Sequence, residues 1–414
     1  MTQSNWPTCQ RTKERCPGIR VEGFEYCLTH LHPEQLTQFL SRLGPGADLD
    51  ARGTTITNEL LVGLTKAVRD RHWRVIFGDV NLEGATFDRV QQLGPWVAHR
   101  LFLDATKFDR YVNIDVYAAL IRCVDAQFDG GVTMRVANAV IVAERAFFGA
   151  PSSIAPSRIF GSYELELQWL PAWEGEREAA GLGGQWPALV SLHGTDVGNL
   201  VLVDTDLSLC VFADAHRLDQ LRIEGYCPFD TSPGGWRWAR RQVLFEENIW
   251  RGHRFHPFLE DSQWIPPERI AVLYRSLRKA YEDGKNEAGA GDFYYGEMEM
   301  RRRTDQTPWA ERWILAVYWL LSGYGQRAGR AVVAIVVLVA VVSVLLLTVG
   351  LPADHVWSWG RVDQSLRIAL GAVVFRDAGQ TLTSAGAWTV MIARFVGPVL
   401  LALGVLAVRA RVKR

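Results

Sequence analysis

Excess charge of either sign is missing from this sequence: across 414 residues, 45 Lys and Arg balance 45 Asp and Glu. No nucleic-acid partner is therefore expected. Familiar reaction-bearing strings are missing too. There is no P-loop, no Gly-x-Ser-x-Gly elbow, no His-Glu-x-x-His and no dinucleotide glycine turn, so no enzymatic activity is expected. The opening "MTQSNWPTCQRTKERC" lacks the apolar core of a secretory signal, which predicts a cytoplasmic amino-terminal part. The six cysteines are then expected to be reduced or metal-bound rather than paired as disulfides.

One window lacks charge altogether. Residues 331–350, "AVVAIVVLVAVVSVLLLTVG", are long enough to span a bilayer as a helix. A second apolar run, 387–408, is interrupted by Arg394 and Pro398 and ends in "RARVKR". Lys and Arg number six in 301–330 and four in 409–414, against three in the loop 351–386. That bias places both termini in the cytoplasm.

What the chain does contain is a period that fits neither helix nor strand. Phe77, Leu82 and Phe87 fall five apart, each preceded two residues earlier by Val75, Val80 and Ala85. The same step carries Ala126, Gly131, Val136, Ile141 and Ala146, with Phe128 and Phe148 two after two of them. It returns in Val190, Thr195, Leu200, Thr205, Cys210 and Ala215, paired with Leu192, Val197, Leu202, Leu207 and Phe212. A fixed repeat of this kind predicts a stacked coil.

The tandem "VNLEG" and "ATFDR" resembles the pentapeptide-repeat family. That resemblance implies a right-handed, four-sided β-helix, one pentapeptide per side and coils about 4.8 Å apart. It covers roughly 75–148 and 190–217, within a repeat domain at 46–225, with "GADLDARG" at 46–53 as a stray unit and an insertion near 151–189. Asn113, Asn138 and Arg217 put polar side chains at central positions, while Asp104, Asp109, Asp125 and Asp129 are expected at solvated corners. Helices are predicted at 33–44 and 58–70, capping the amino-terminal edge of the coil.

Within the first 32 residues stand Cys9, Cys16, Cys27, His30 and His32. Three thiols and one imidazole on a short segment suit a closed structural zinc site in a knuckle-like domain at 1–45, with His30 or His32 as fourth ligand. Cys123, Cys210 and Cys227 are expected in the core. For His253 and His256, packing is the better reading than metal binding.

Residues 226–330 are predicted to be a helical connector. "PPERIAVLYRSLRKAYEDGKNEAGAGDFYYGEMEMRRR" puts Ile270, Leu273, Leu277 and Ala280 on one helical face. "KNEAGAGD" should break the helix before it resumes. The string resembles the juxtamembrane region of membrane-anchored pentapeptide-repeat proteins of bacteria, which implies the inner membrane. Arg301–Arg303 with Trp309, Trp313 and Trp319 predict an amphipathic helix at the membrane interface, attracted to anionic lipids. In the two-span segment 331–414, residues 364–374 predict a short re-entrant helix. Span, short helix, return, span resembles potassium-channel pore domains, but no Thr-Val-Gly-Tyr-Gly filter is present. Arg376, Thr381, Thr383 and Arg394 are the candidate hairpin or pore residues. The expectation is a scaffold or sensor that binds a protein partner and forms a homo-oligomer through its spans. The alternative is a pore gated by the β-helix, with a defence effector as one variant.

Overall fold

The computed structural model describes residues 6–10, 16–159, 167–182, 186–231, 241–252, 255–259, 264–352, 359–374 and 382–412. The chain divides into two compact units, 1–284 and 285–414. The predicted connector is therefore shared, 226–284 going with the first unit and 285–330 with the second.

The first unit is built on a parallel β-solenoid of about seven turns. One ladder stacks Ala47–Asp50, Val75–Asn81, Arg100–Phe102, Leu120–Arg122, Val140–Val142 and Ala188–Ser191. A second runs from Val75–Asn81 through Gln92–Val97, Val112–Tyr117, Val132–Ala137, Ser152–Pro156 and Leu200–Val203 to Arg222–Glu224. A third joins Thr55–Thr57, Thr86–Asp88, Lys107–Phe108, Gln127–Phe128 and Phe147–Phe148. Each coil places like on like: Leu101 pairs with Ile121 and Ile121 with Ile141. Phe87, Phe108, Phe128 and Phe148 stack down the interior with ring centroids 4.1, 5.1 and 5.7 Å apart and nearly parallel planes. Outside, Arg100–Asp79, Arg122–Asp104, Arg145–Asp125 and Arg217–Asp196 pair successive coils.

The side length of five is an average. The strands Val112–Tyr117 and Val132–Ala137 hold six residues each and bury Val112, Ile114 and Val116, then Val132, Met134 and Val136. Gly131 is buried but takes φ +85° just before the strand, and Asn113 is half-buried beside Ile114, which fills the central place. Asn138 does stay buried, its amide donating to Tyr117 Oη over 3.1 Å. Arg217 turns out instead, at φ +53°, to meet Asp196. Residues 46–53 belong to the first ladder. Asp104 is 7% exposed and accepts from Arg122 Nε and Val124 N–H, so it is not a solvated corner as expected, whereas Asp109, Asp125 and Asp129 are exposed.

The insertion is shorter than predicted, since Ser152–Pro156 keeps its place in the second ladder. Within it, Leu170–Ala180 forms a helix (α3), which lays Trp173 on the outer face of the solenoid. The Trp173 indole donates to Asn138 O. At the amino-terminal end lie helices Pro33–Leu40 (α1) and Asn58–Ala67 (α2), the latter capped by Thr57 Oγ1. At the other end stand helices Phe245–Trp250 (α4) and Pro267–Asp283 (α5). Ile270, Leu273, Leu277 and Ala280 are buried, as their spacing predicts.

The second unit is helical: Glu287–Arg303 (α6), Trp309–Ser322 (α7), Ala328–Leu345 (α8), Trp359–Val373 (α9) and Ser384–Val412 (α10). The predicted break at "KNEAGAGD" is confined to its first residues. Asn286 Oδ1 accepts the Gly289 N–H over 3.0 Å and starts α6 there, so the two glycines lie inside the helix. A π-helical turn, Leu346–Gly350, extends α8.

Candidate functional site

Two pieces of chain build the amino-terminal cluster. Thr8 and Ile19 bridge antiparallel, with the Cys9 N–H donating to Gly18 O over 2.8 Å, which sets Cys9 beside the return strand. A single helical turn, Leu28–His30, then puts Cys27 and His30 on one side. Gly18 lets them meet: a Cβ there would stand 2.8 Å from the Cys27 Cβ and 2.9 Å from its Sγ. The Ile19 N–H donates to Arg52 O and Thr29 Oγ1 to Thr55 O, so the cluster is docked on the first coil of the solenoid.

Cys9 Sγ, Cys16 Sγ, Cys27 Sγ and His30 Nδ1 lie within 4.8 Å of one another, near enough to hold a metal ion. Cys9 Sγ to His30 Nδ1 is 3.5 Å, Cys27 Sγ to His30 Nδ1 is 3.3 Å, and Cys16 Sγ to Cys27 Sγ is 3.7 Å. Those are the edges expected of a tetrahedron whose ligands each sit ~2.0–2.3 Å from a central ion. With the thiols alone, burial and then the neighbouring Cys16 and Cys9 push Cys27 up to about 12; a cation at the centre supplies the charge that three thiolates need. His32 is not part of the cluster. It is exposed at the start of α1, its ring edge-on to Tyr26 and its N–H donating to Gln35 Oε1.

The hairpin residues separate. Helices Ala328–Gly350 and Ser384–Arg409 are long and apolar enough to cross a membrane. Thr383 joins their ends, its Oγ1 donating to Val349 O over 2.7 Å and accepting from the Gly386 N–H. Helix α9 packs between them, burying Ile368, Ala369, Ala372 and Val373 against Val339, Val342, Val390 and Ala393. It starts beside the far end of α8, where Arg361 reaches Pro352 O. It ends at Val373, whose Cα lies 2.7 Å from where a Gly397 Cβ would stand. Gly397 is half-way along the 26-residue apolar stretch. Arg394 is partly buried on α10. Arg376 and Thr381 lie outside the described residues, as does His253.

The tryptophans also divide. Trp309 and Trp313 are exposed, but Trp319 meets the Arg302 and Arg330 guanidinium groups, each 4.7 Å from its ring, and donates to Tyr295 Oη. His256 packs as expected, its Nε2 2.9 Å from Leu209 O. Cys123 and Cys210 are fully buried and Cys227 nearly so.

Sequence reasoning missed the charged core of the carboxyl-terminal cap. Glu247 is buried with Arg241, Arg251 and Tyr274, at 2.6 Å from Arg241 Nη2 and 2.5 Å from the Tyr274 hydroxyl. Burial alone would raise its carboxyl, yet Arg241 and Arg251 hold it below the usual range. Among the described residues, Glu246 has no such cation. Its Oε1 accepts the Phe212 N–H of the last coils over 2.5 Å, and burial pushes it up to about 7. The one available signal was two adjacent acids in "VLFEENIW", a stretch otherwise apolar enough to be buried.

The chain matches no protein-family model, no curated protein and no solved structure.

Proposed function

We propose that this chain is a membrane-anchored pentapeptide-repeat platform of the bacterial inner membrane, with both termini cytoplasmic. The solenoid binds a protein partner on its lateral faces, and the two-span module holds it at the bilayer and assembles copies of the chain. The supporting observation is that folded elements stand at both ends of the coil stack, the cysteine cluster with α1 and α2 at one end and α4 with α5 at the other. Capped ends leave the sides for recognition. Photo-crosslinking p-benzoylphenylalanine at Tyr111 or Phe147, both exposed on the solenoid, tests this in native membranes. A single discrete protein adduct is expected; reaction with solvent alone at both positions removes the platform reading.

The ion at Cys9, Cys16, Cys27 and His30 is read as structural zinc. Metal analysis of purified protein should find one zinc per chain, retained in His32→Ala and lost in Cys27→Ser and His30→Ala.

A second reading, a pore assembled from several hairpins and gated by the solenoid, is favoured by α9, which reaches only half-way along α10. Such a half-length helix wedged between two spans is the arrangement that lines a conduction path when copies associate. Ion flux through liposomes carrying the full-length protein tests it. Flux altered by Arg394→Leu supports a pore, and no flux at any potential leaves the platform alone.

A further inference from the structure

Helix α7 carries an apolar face that no described residue covers. Trp309, Trp313, Ile314, Val317 and Leu320 are all exposed, Trp309 at 78% and Ile314 at 68%. At ~100° per residue they fall within about 140° of arc, with no charged residue among them. The opposite side of the helix is packed: Leu315 is buried with Met298 and Tyr324. Isolated apolar residues on a surface are ordinary, but a continuous stripe of this width marks a surface that meets something.

Three observations say what it meets. First, the stripe has a basic border. Trp319 stands at one edge with the Arg302 and Arg330 guanidinium groups each 4.7 Å from its ring, and Arg312 follows Trp309 by less than one turn, its guanidinium donating to Thr304 O and Asp305 O. Second, α7 is fixed to the start of α8. Gly323, Tyr324 and Gly325 all take left-handed φ in a buried turn, and the Tyr324 hydroxyl donates to Glu299. The Arg327 N–H donates to Ser322 O, and Arg330 Nη1 donates to Trp319 O. Third, α8 is one of the two helices long and apolar enough to cross a bilayer. Whatever surrounds the first turn of α8 therefore also lies along α7.

We propose that α7 lies in the headgroup–acyl boundary of the leaflet that α8 enters, with the stripe from Trp309 to Leu320 against acyl chains and Arg312 and Arg330 against anionic lipid phosphates. Tryptophan at such a depth keeps its ring in the interface, and the Arg330 guanidinium over Trp319 offers a planar phosphate contact, whereas Arg302 is already paired with Glu299. The inference rests on the membrane reading above and adds a lipid-binding surface to it.

The test uses the full chain, reconstituted into vesicles of three parts phosphatidylethanolamine to one part phosphatidylglycerol. p-Benzoylphenylalanine replaces Trp313 in one variant, Val317 in a second and the exposed span residue Val336 in a third, and adducts are read by mass spectrometry after illumination. Lipid adducts at Trp313 and Val317 comparable with those at Val336 are expected. Lipid adducts at Val336 with none at the other two, or adducts there to a second copy or another protein, overturn the inference and leave the membrane reading intact. No lipid adduct at any of the three overturns both. For the arginines, the yield at Trp313 should fall at least twofold in vesicles of phosphatidylcholine alone, and Arg312→Gln with Arg330→Gln should abolish that difference. A yield independent of headgroup removes the anionic-lipid contact.

Discussion

Glu246 makes the first unit sensitive to pH. Its pKa is raised by burial to about 7 from 4.5, so the folded state binds its proton more tightly than the unfolded chain does. The stability it contributes is fully present below about pH 4.5 and is lost as pH rises through about 7. Glu246→Gln should match the parent near pH 4.5 and exceed it at pH 8, by up to about 3 kcal/mol, in chemical denaturation followed by tryptophan fluorescence. At the same scale, Gly18→Ala forces a methyl group onto the Cys27 side chain. It should cut zinc content several-fold in metal analysis without touching a ligand. The ligand types were legible in the sequence because three cysteines and two histidines crowd into 32 residues. The choice of His30 over His32 was not, since it depends on the helical turn Leu28–His30 and on the hydrogen bond that draws His32 into the start of α1. Glu246 was also hidden, because an acid followed by an acid at the start of a helix reads as a solvated pair unless the coil that buries it is known.

At the level of elements, the aromatic column is the part of the solenoid most exposed to a single change. Phe128 lies between Phe108 and Phe148, fully buried. Phe128→Ala should cost about 3–5 kcal/mol, seen as a shifted denaturation midpoint for the first unit. In the second unit, Gly397 is where α9 and α10 touch backbone to backbone. Gly397→Leu should push the end of α9 away and make the 360–374 segment accessible to protease in detergent micelles, while Gly329→Leu, with open space around it, should not. The columns of Phe and of aliphatic residues could be read directly, since their period survives every coil. The register on one side could not. Six residues at 112–117 and 132–137 are balanced by a shorter stretch before the next corner, so a strict count of five drifts to Asn113 and Gly131 and recovers by Ile141. A chain needs only the same total per coil to stack like on like.

The molecule as a whole separates along its chemistry. The amino-terminal unit is organised by inward columns, ion pairs between coils and a candidate metal centre bonded to the first coil through Ile19 and Thr29. Chelation with a membrane-impermeant agent should therefore lower the melting temperature of that unit by several degrees and leave the helical unit unchanged, as read by circular dichroism of β and α signals in nanodiscs. The composition had already marked both regimes: a fivefold period up to about residue 217 and two long apolar runs after 330. The boundary between them was less legible, because α5 and α6 carry similar mixtures of apolar and charged residues, and only the positive-φ turn at Lys285 with the Asn286 cap divides them.

The way the coils pair also fixes a length scale. Leu101, Ile121 and Ile141 stack at intervals of one coil, and adjacent parallel strands are ~4.8 Å apart. The distance between the two capped ends is thus an integer multiple of one spacing, adjustable only in whole steps. Removing 121–140 should bring Ile141 onto Leu101 and shorten the first unit by about 4.8 Å, and removing ten residues instead should prevent folding. Such a solenoid acts as a ruler graduated by the backbone hydrogen bond.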